Sequence, residues 1–257
     1  QFAYFSVVSP DSRRIAYAWF NDQKFYDLRI ATLDGSEPKI IYRNTEAGFV
    51  QPCAFSPDGD QILTLLFRKD NISQIALIST EDGSAKILRS LNWVYPKKMD
   101  FFPDGRFIVY DVTIRDDEPE RDIFVLAADG SSQTKLVDHP ADDLFPLWTP
   151  DGAHVVFASD RSGTIDVWRI PVSGGKAQGL ARRIKKDLGR FLPMGFTRQG
   201  LLYYALRTGA SDIYVSAFHL AGGEIYGQPK IAPSRFAGGN LSPDWSPGGR
   251  YLAYLSH

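Results

Sequence analysis

A chain of 257 residues, 44% hydrophobic and 13% aromatic, can bury a sizeable core; this argues against disorder and suits a single all-β domain. Its 29 basic and 30 acidic residues nearly cancel, so no global field draws it to nucleic acid or to an anionic membrane, and partners must be recognised locally. The lone cysteine, Cys53, excludes an internal disulfide framework and a cysteine-based zinc site, and no apolar run approaches the roughly 18 residues that span a bilayer.

Taken in chain order, the first unit begins with "QFAYFSVV", which has neither an initiating Met nor a basic leader with a cleavage site, so any targeting signal is expected outside this chain. The run leads into the turn "SPDS" at Ser9, a second apolar run, and then "DLRIATLDG" from Asp27. The second unit repeats the scheme in full as "FVQPCAF", "SPDG" at Ser56, "DQILTLLFRKDN", "ISQIALISTEDG" and "SAKILRS". Later units carry "FPDG" at Phe102, "TPDG" at Thr149, "TRQG" at Thr197 and "SPGG" at Ser246. The closing residues of these turns, Ser12, Gly59, Gly105, Gly152, Gly200 and Gly249, fall 46 to 49 residues apart. A second series keeps step with the first: the runs starting at Asp27, Gln74, Asp122, Asp166 and Asp212 are 44 to 48 residues apart, and they end in Asp-Gly or Gly-Gly.

Each unit therefore reads as a four-stranded meander: strand A, a Pro-Asp-Gly turn, strand B, a loop, strand C, an Asp-Gly turn and strand D. Proline pre-sets φ for the first central position of a type I turn, Asp suits the second, and Gly accepts the left-handed conformation that reverses the chain. Four-stranded units of fixed period with no helical periodicity between them indicate an all-β β-propeller of antiparallel blades, and a β-sandwich does not impose such a period. The expected blades are 1–46, 47–92, 93–141, 142–190, 191–239 and an incomplete 240–257. Six A–B hairpins face five C–D pairs, so five full blades and half a blade are visible, and the chain reads as a piece of a larger protein whose ring has six or more blades.

These motifs resemble a known family. A proline within strand A, the turn [SFT]-P-D-G and a following "D-I-[YFW]-V" are similar to the TolB-type, WD-like β-propeller repeat of bacterial proteins, most clearly in "FPLWTPDGAHVVFASDRSGTIDVWRIPVSGG" from Phe145 to Gly175. The likeness runs along the whole chain, with departures at "TRQG", "SPGG" and Ser12, where turns should be less rigid. It implies a periplasmic or otherwise extracytoplasmic binding module, with a cytoplasmic setting as the alternative. It also implies a second reading, the lid domain of a prolyl-oligopeptidase-like serine peptidase whose catalytic domain is absent here.

In such a meander the A–B and C–D turns emerge on one face, and the B–C loops and D-to-A crossovers on the other. The second face carries the variable segments, where function resides on a rigid scaffold. Aromatic residues stand in or near the crossovers at Phe49, Trp93, Tyr95, Phe145, Phe191 and Phe236, with Arg190 beside them. They are expected either to anchor another protein, a peptide or another domain of the same chain, or to pack blade against blade. Glu46, Asp100, Asp142, Asp143, Asn240 and Asp244 lie near the same mouth, yet no dense Asp-x-Asp run supports a cation site, and no metal or cofactor is expected. Nucleophile elbow, H-E-x-x-H, P-loop and G-x-G-x-x-G signatures are lacking, and His139, His154, His219 and His257 are scattered over different units, so no catalytic residue is assigned. The basic run "ARRIKKDLGR" and the acidic "RDDEPERD" read as solvated loops and give no one-sided basic surface for nucleic acid.

Overall fold

The computed structural model describes residues 2–43, 47–113, 120–188, 191–197, 199–208, 210–232 and 240–256. Within them the chain is all strand. The first sheet is β1 (Phe2–Val8), β2 (Arg14–Phe20), β3 (Tyr26–Thr32) and β4 (Lys39–Arg43), and the second is β5 (Ala47–Phe55), β6 (Gln61–Arg68), β7 (Ile72–Ser79) and β8 (Ala85–Asn92). The third comprises β9 (Met99–Phe101), β10 (Phe107–Thr113), β11 (Arg121–Ala127) and β12 (Gln133–Lys135). In the fourth, β13 (Asp143–Trp148), β14 (His154–Ser159) and β15 (Asp166–Ser173) are followed by an outer strand split into β16 (Lys176–Ala177) and β17 (Arg182–Lys185), both paired with β15. The fifth is β18 (Phe191–Phe196), β19 (Leu201–Thr208), β20 (Ala210–His219) and β21 (Glu224–Ile231), and a sixth holds β22 (Asn240–Trp245) and β23 (Leu252–Ser256). Every pairing among the described residues is antiparallel, and apart from β17 on β15 it joins sequence neighbours, as the meander predicts.

The six innermost strands succeed one another around a ring, and β22 packs against both β18 and β1. Burial follows the radius. Strands B and C are clamped between adjacent sheets and carry apolar residues on both faces, as in β6 and β7, whereas the outer β8 is largely exposed. Four apolar clusters sit between consecutive sheets. Between the second and third, Leu63, Leu65, Ile75 and Leu77 meet Met99, Ile108, Tyr110 and Leu126. Each such side chain removed from water contributes about 1.5–3 kcal/mol, which makes the inter-sheet seams the main source of stability.

The recurring turns do two jobs. In all six, the closing residue donates its N–H to the first residue's carbonyl, from Ser12 to Ser9 at 2.9 Å round to Gly249 to Ser246 at 2.8 Å, so "TRQG" and "SPGG" keep the turn without the full motif. The leading Ser or Thr hydroxyl accepts the N–H that opens strand B, as at Arg14 (2.9 Å), Gln61 (2.9 Å) and His154 (3.0 Å), and donates to the turn's Asp in the first, second and fourth sheets. The turns also touch one another around the ring: a Cβ on Gly152 would lie 2.6 Å from the Phe102 ring of the preceding turn. Ser12 holds the same position at φ 58° with a side chain where its counterparts have glycine. Ser12→Gly is therefore expected to raise the unfolding free energy by about 1 kcal/mol, read as a higher urea midpoint with unchanged slope.

Candidate functional site: the central cavity and the crossover face

Strand A of every sheet faces the ring axis and encloses a cavity of about 630 Å³. Bulges shape its wall. β1, β13 and β22 each shift register at a residue held in the left-handed region, Phe5 (φ 44°), Phe145 (φ 55°) and Ser242 (φ 51°), which turns neighbouring side chains toward the axis.

Two carboxylates occupy equivalent places three sheets apart. Asp100, two residues before the third turn, accepts the N–H of Trp148 in the fourth sheet at 3.0 Å. Asp244, two residues before the sixth turn, accepts the N–H of Val8 in the first sheet at 2.6 Å, and this bond joins the two ends of the described chain. Burial pushes each carboxyl up to about 6, against the lowering effects of the Lys98 charge and these backbone donors. In the fifth sheet the matching position is Gly195, where a Cβ would come 2.5 Å from the Tyr203 hydroxyl. Without a side chain there, Tyr203 reaches through from β19, donating to Asp244 Oδ1 at 3.1 Å and accepting the Trp245 N–H at 3.2 Å. Burial and the Asp244 charge raise the phenol well above its ordinary value. Lys98 extends from the third sheet to the carbonyl of Met194 in the fifth at 3.2 Å. Cys53 also lines the cavity; burial pushes its thiol up to about 12, which leaves it protonated and a poor nucleophile.

The other polar residues named from sequence do not converge there. Asp142 accepts the Arg121 N–H at 3.0 Å, Asp143 is buried against Arg161 at 2.7 Å, and Asn240 is buried at the start of β22. Glu46 and Arg190 lie outside the described residues, as does Phe236. Among the described residues no group of three or more His, Cys, Asp or Glu is placed to hold a metal ion.

The aromatic positions divide. Phe191 follows the second of the two expectations, packing blade against blade: at the start of β18 it is 2% exposed, with its ring 5.0 Å from Tyr204 in the seam between the fourth and fifth sheets. Phe145 is half-buried at the cavity rim, and the Lys97 ammonium lies 5.9 Å from its ring centroid. Its N–H donates to Asp111 Oδ2 at 2.9 Å, and the other oxygen of Asp111 accepts the N–H groups of Lys97 (2.7 Å) and Lys98 (3.0 Å). Trp93 and Tyr95 stand 52% and 49% exposed. Phe49 belongs to something the sequence reading missed, a continuous aromatic arc along the crossover face of the first three sheets. Phe2, Phe20, Tyr26, Phe49, Phe67 and Tyr95 follow one another with centroids 4.5 to 5.7 Å apart, and Tyr4 and Phe5 branch from the chain at Phe2, Tyr26 and Phe49. The available signal was the aromatic at each end of a B–C loop, at Phe20, Tyr26 and Phe67, on the same face as the crossovers.

Among the described residues no helix is long and apolar enough to cross a membrane. A family model described as the TolB beta propeller domain matches residues 11–197. The Tol-Pal system protein TolB of Bordetella pertussis is 28% identical over 171 residues, which is 65% of this chain and 36% of that protein, so the match spans about a third of the length of the Bordetella relatives. Among solved structures, TolB from Acinetobacter baumannii superposes with TM-score 0.70 at 19% identity, over 96% of this chain and 62% of that one. A prolyl endopeptidase superposes with TM-score 0.67 at 13% identity, over 99% of this chain and 38% of that one. Identities this low show a shared fold alone. The sequence match over most of the ring, on the turns and inner strands just described, places this chain in the TolB beta propeller domain family.

Proposed function

We propose that this propeller is a non-catalytic module of a bacterial cell-envelope or sensor protein, working outside the cytoplasm, and that it binds another protein, or a peptide segment of one, on its crossover face. The observation that carries this reading is the aromatic arc: its Phe2, Tyr4, Phe5 and Tyr95 are each at least 40% exposed on the face opposite the repetitive turns, and Trp93, two residues before Tyr95, is 52% exposed. Exposed aromatic groups in a cluster mark interaction sites, because they supply large contact area for little conformational entropy. The name of the Bordetella relative, a Tol-Pal system protein, supports a protein partner.

The test compares the immobilised native domain with a Trp93→Ala, Tyr95→Ala variant, identifying captured proteins by mass spectrometry and measuring affinity for the purified hit. Both side chains are half exposed, so the fold should survive, and the variant should lose about tenfold or more in affinity. Equal retention by both forms would remove Trp93 and the Tyr95 end of the arc from the binding site. Capture of no protein by the native form would overturn the reading in favour of a lid for a catalytic domain elsewhere in the polypeptide.

A further inference from the structure

Among the described residues, the fully buried carboxylates of this fold are each matched with a guanidinium. Asp27 meets Arg43 and Arg29, Asp111 lies 3.7 Å from Arg121, Asp143 meets Arg161, and Asp166 meets Arg183. Such pairing is what lets a charge leave bulk water. The two carboxylates of the central cavity break the pattern. Among the described residues neither Asp100 nor Asp244 forms an ion pair, and no side chain donates a hydrogen bond to Asp100. Lys98 is the cation they share: its ammonium is held by the Met194 carbonyl at 3.2 Å and acts on both carboxyls from a distance. The remaining charged residue of the cavity wall, Lys97, is exposed at the rim with its ammonium over the Phe145 ring. Cys53 and Tyr203 add no charge, because burial keeps thiol and phenol protonated. The interior therefore sets one ammonium against two carboxylates, and its ionised form has one negative charge in excess.

The shape and the walls say which kind of cation suits it. A cavity of about 630 Å³ has the size of a small-molecule pocket, and Phe5, Val7, Phe145 and Leu192 give it apolar surface beside these few polar groups. A hard metal ion asks for six or more oxygen ligands, and among the described residues no three His, Cys, Asp or Glu side chains converge on a point. An alkylammonium needs only two or three acceptors, and it brings an apolar body that aromatic rings attract.

We propose that the central cavity is a binding site for a small organic amine, whose ammonium takes Asp100 and Asp244 as its acceptors and whose apolar body lies against Phe5 and Phe145. This site is separate from the crossover-face reading and stands or falls without it. The probes are phenylpropylamine, phenylpropanoate and phenylpropanol, which share one body and differ in charge. Each is titrated by ligand-detected NMR at pH 7.5 and pH 4.5, against the native chain and an Asp100→Asn, Asp244→Asn variant. The amine should bind at pH 7.5 with a Kd of about 1 mM or lower, at least about tenfold tighter than the acid or the alcohol. At pH 4.5 the amine keeps its charge while both carboxyls, raised to about 6, hold their protons, so its affinity should fall about tenfold or more. The amide variant keeps the shape of the wall and removes both charges; it should lose about tenfold in affinity for the amine together with the pH response. Binding of the acid or alcohol as tight as that of the amine, an amine affinity untouched by the variant or by pH, or no binding at about 10 mM would overturn the proposal. Calcium is titrated alone as well, and calcium binding that the amine does not displace would overturn it in favour of a metal. Should the double variant fail to fold, Asp244→Asn alone and the pH dependence of the native chain decide.

Discussion

Asp27→Ala is expected to lower the unfolding free energy by about 2–3 kcal/mol, measured as a fall in urea midpoint at pH 7. The Asp27 side chain is fully buried at the start of strand C, and Arg43 on strand D grips it with Nε at 2.5 Å and Nη2 at 2.8 Å. Arg29 adds a bond at 3.1 Å, and the buried Asn21 amide another at 3.1 Å. Alanine would leave the buried Asn21 amide without this acceptor, while the partly exposed Arg43 and Arg29 lose a charge-assisted partner and turn to water. Burial alone would push the Asp27 carboxyl up, but the bonds from Arg43, Asn21 and Arg29 outweigh it and hold it below the ordinary value. The fourth sheet repeats the device: Asp166 takes the Asp187 N–H, the Ser162 and Thr164 hydroxyls and Arg183, and these hold it at about 2 despite burial. A carboxyl whose folded value lies below its unfolded one adds stability above that unfolded value, near pH 4. The contribution from Asp166 should therefore fade between about pH 4 and pH 2. A loss below 1 kcal/mol for Asp27→Ala would mean that water satisfies Asn21 and Arg43 equally well.

The cavity carboxylates should behave in the opposite sense. Asp100 and Asp244 have folded values of about 6, above the unfolded value near 4, so the folded state holds more protons between those limits and its stability falls as pH rises through that window. Above pH 6 each ionised carboxylate costs about 2–3 kcal/mol relative to its protonated form. Asp244→Asn keeps an acceptor for the Val8 N–H and a partner for Tyr203 while removing the charge. It is expected to be near neutral at pH 4.5 and stabilising by about 2 kcal/mol at pH 7.5, read from paired urea titrations. Asp100→Asn should follow suit, and the double variant should gain less than the sum, because Lys98 acts on both carboxylates. A stability difference that does not change with pH would refute the assignment.

The propeller is written in short-range chemistry, and that is why so much of it could be read. The turns at Ser9, Ser56, Phe102, Thr149, Thr197 and Ser246 need only four residues each to reverse the chain, so their period survives in the sequence. The acidic residue leading strand C was visible too, but its partner was not: Asp27 finds Arg43 sixteen residues later, across a register shift between β3 and β4. The candidate site was less legible because its parts come from different sheets. Trp93 and Phe191 stand similarly near the start of their units, yet Trp93 takes the left-handed conformation (φ 41°) outside a strand and faces water, while Phe191 enters β18 opposite Leu206 and turns into a seam. The aromatic arc joins residues from two B–C loops, a crossover and the first strand, a neighbourhood created only when the sheets close into a ring.

The Lys98 bond to Met194 spans the ring between its third and fifth members. Most other cohesion passes from one sheet to the next, as through a string of hinged panels, which on its own permits shear of the kind that flattens a hinged polygon. A strut between non-neighbours limits that freedom, since the third and fifth panels cannot move apart without breaking it. Lys98 thus ties the third sheet to the fifth across the cavity, and an occupant that drew the ammonium away from Met194 would free the fourth sheet between them.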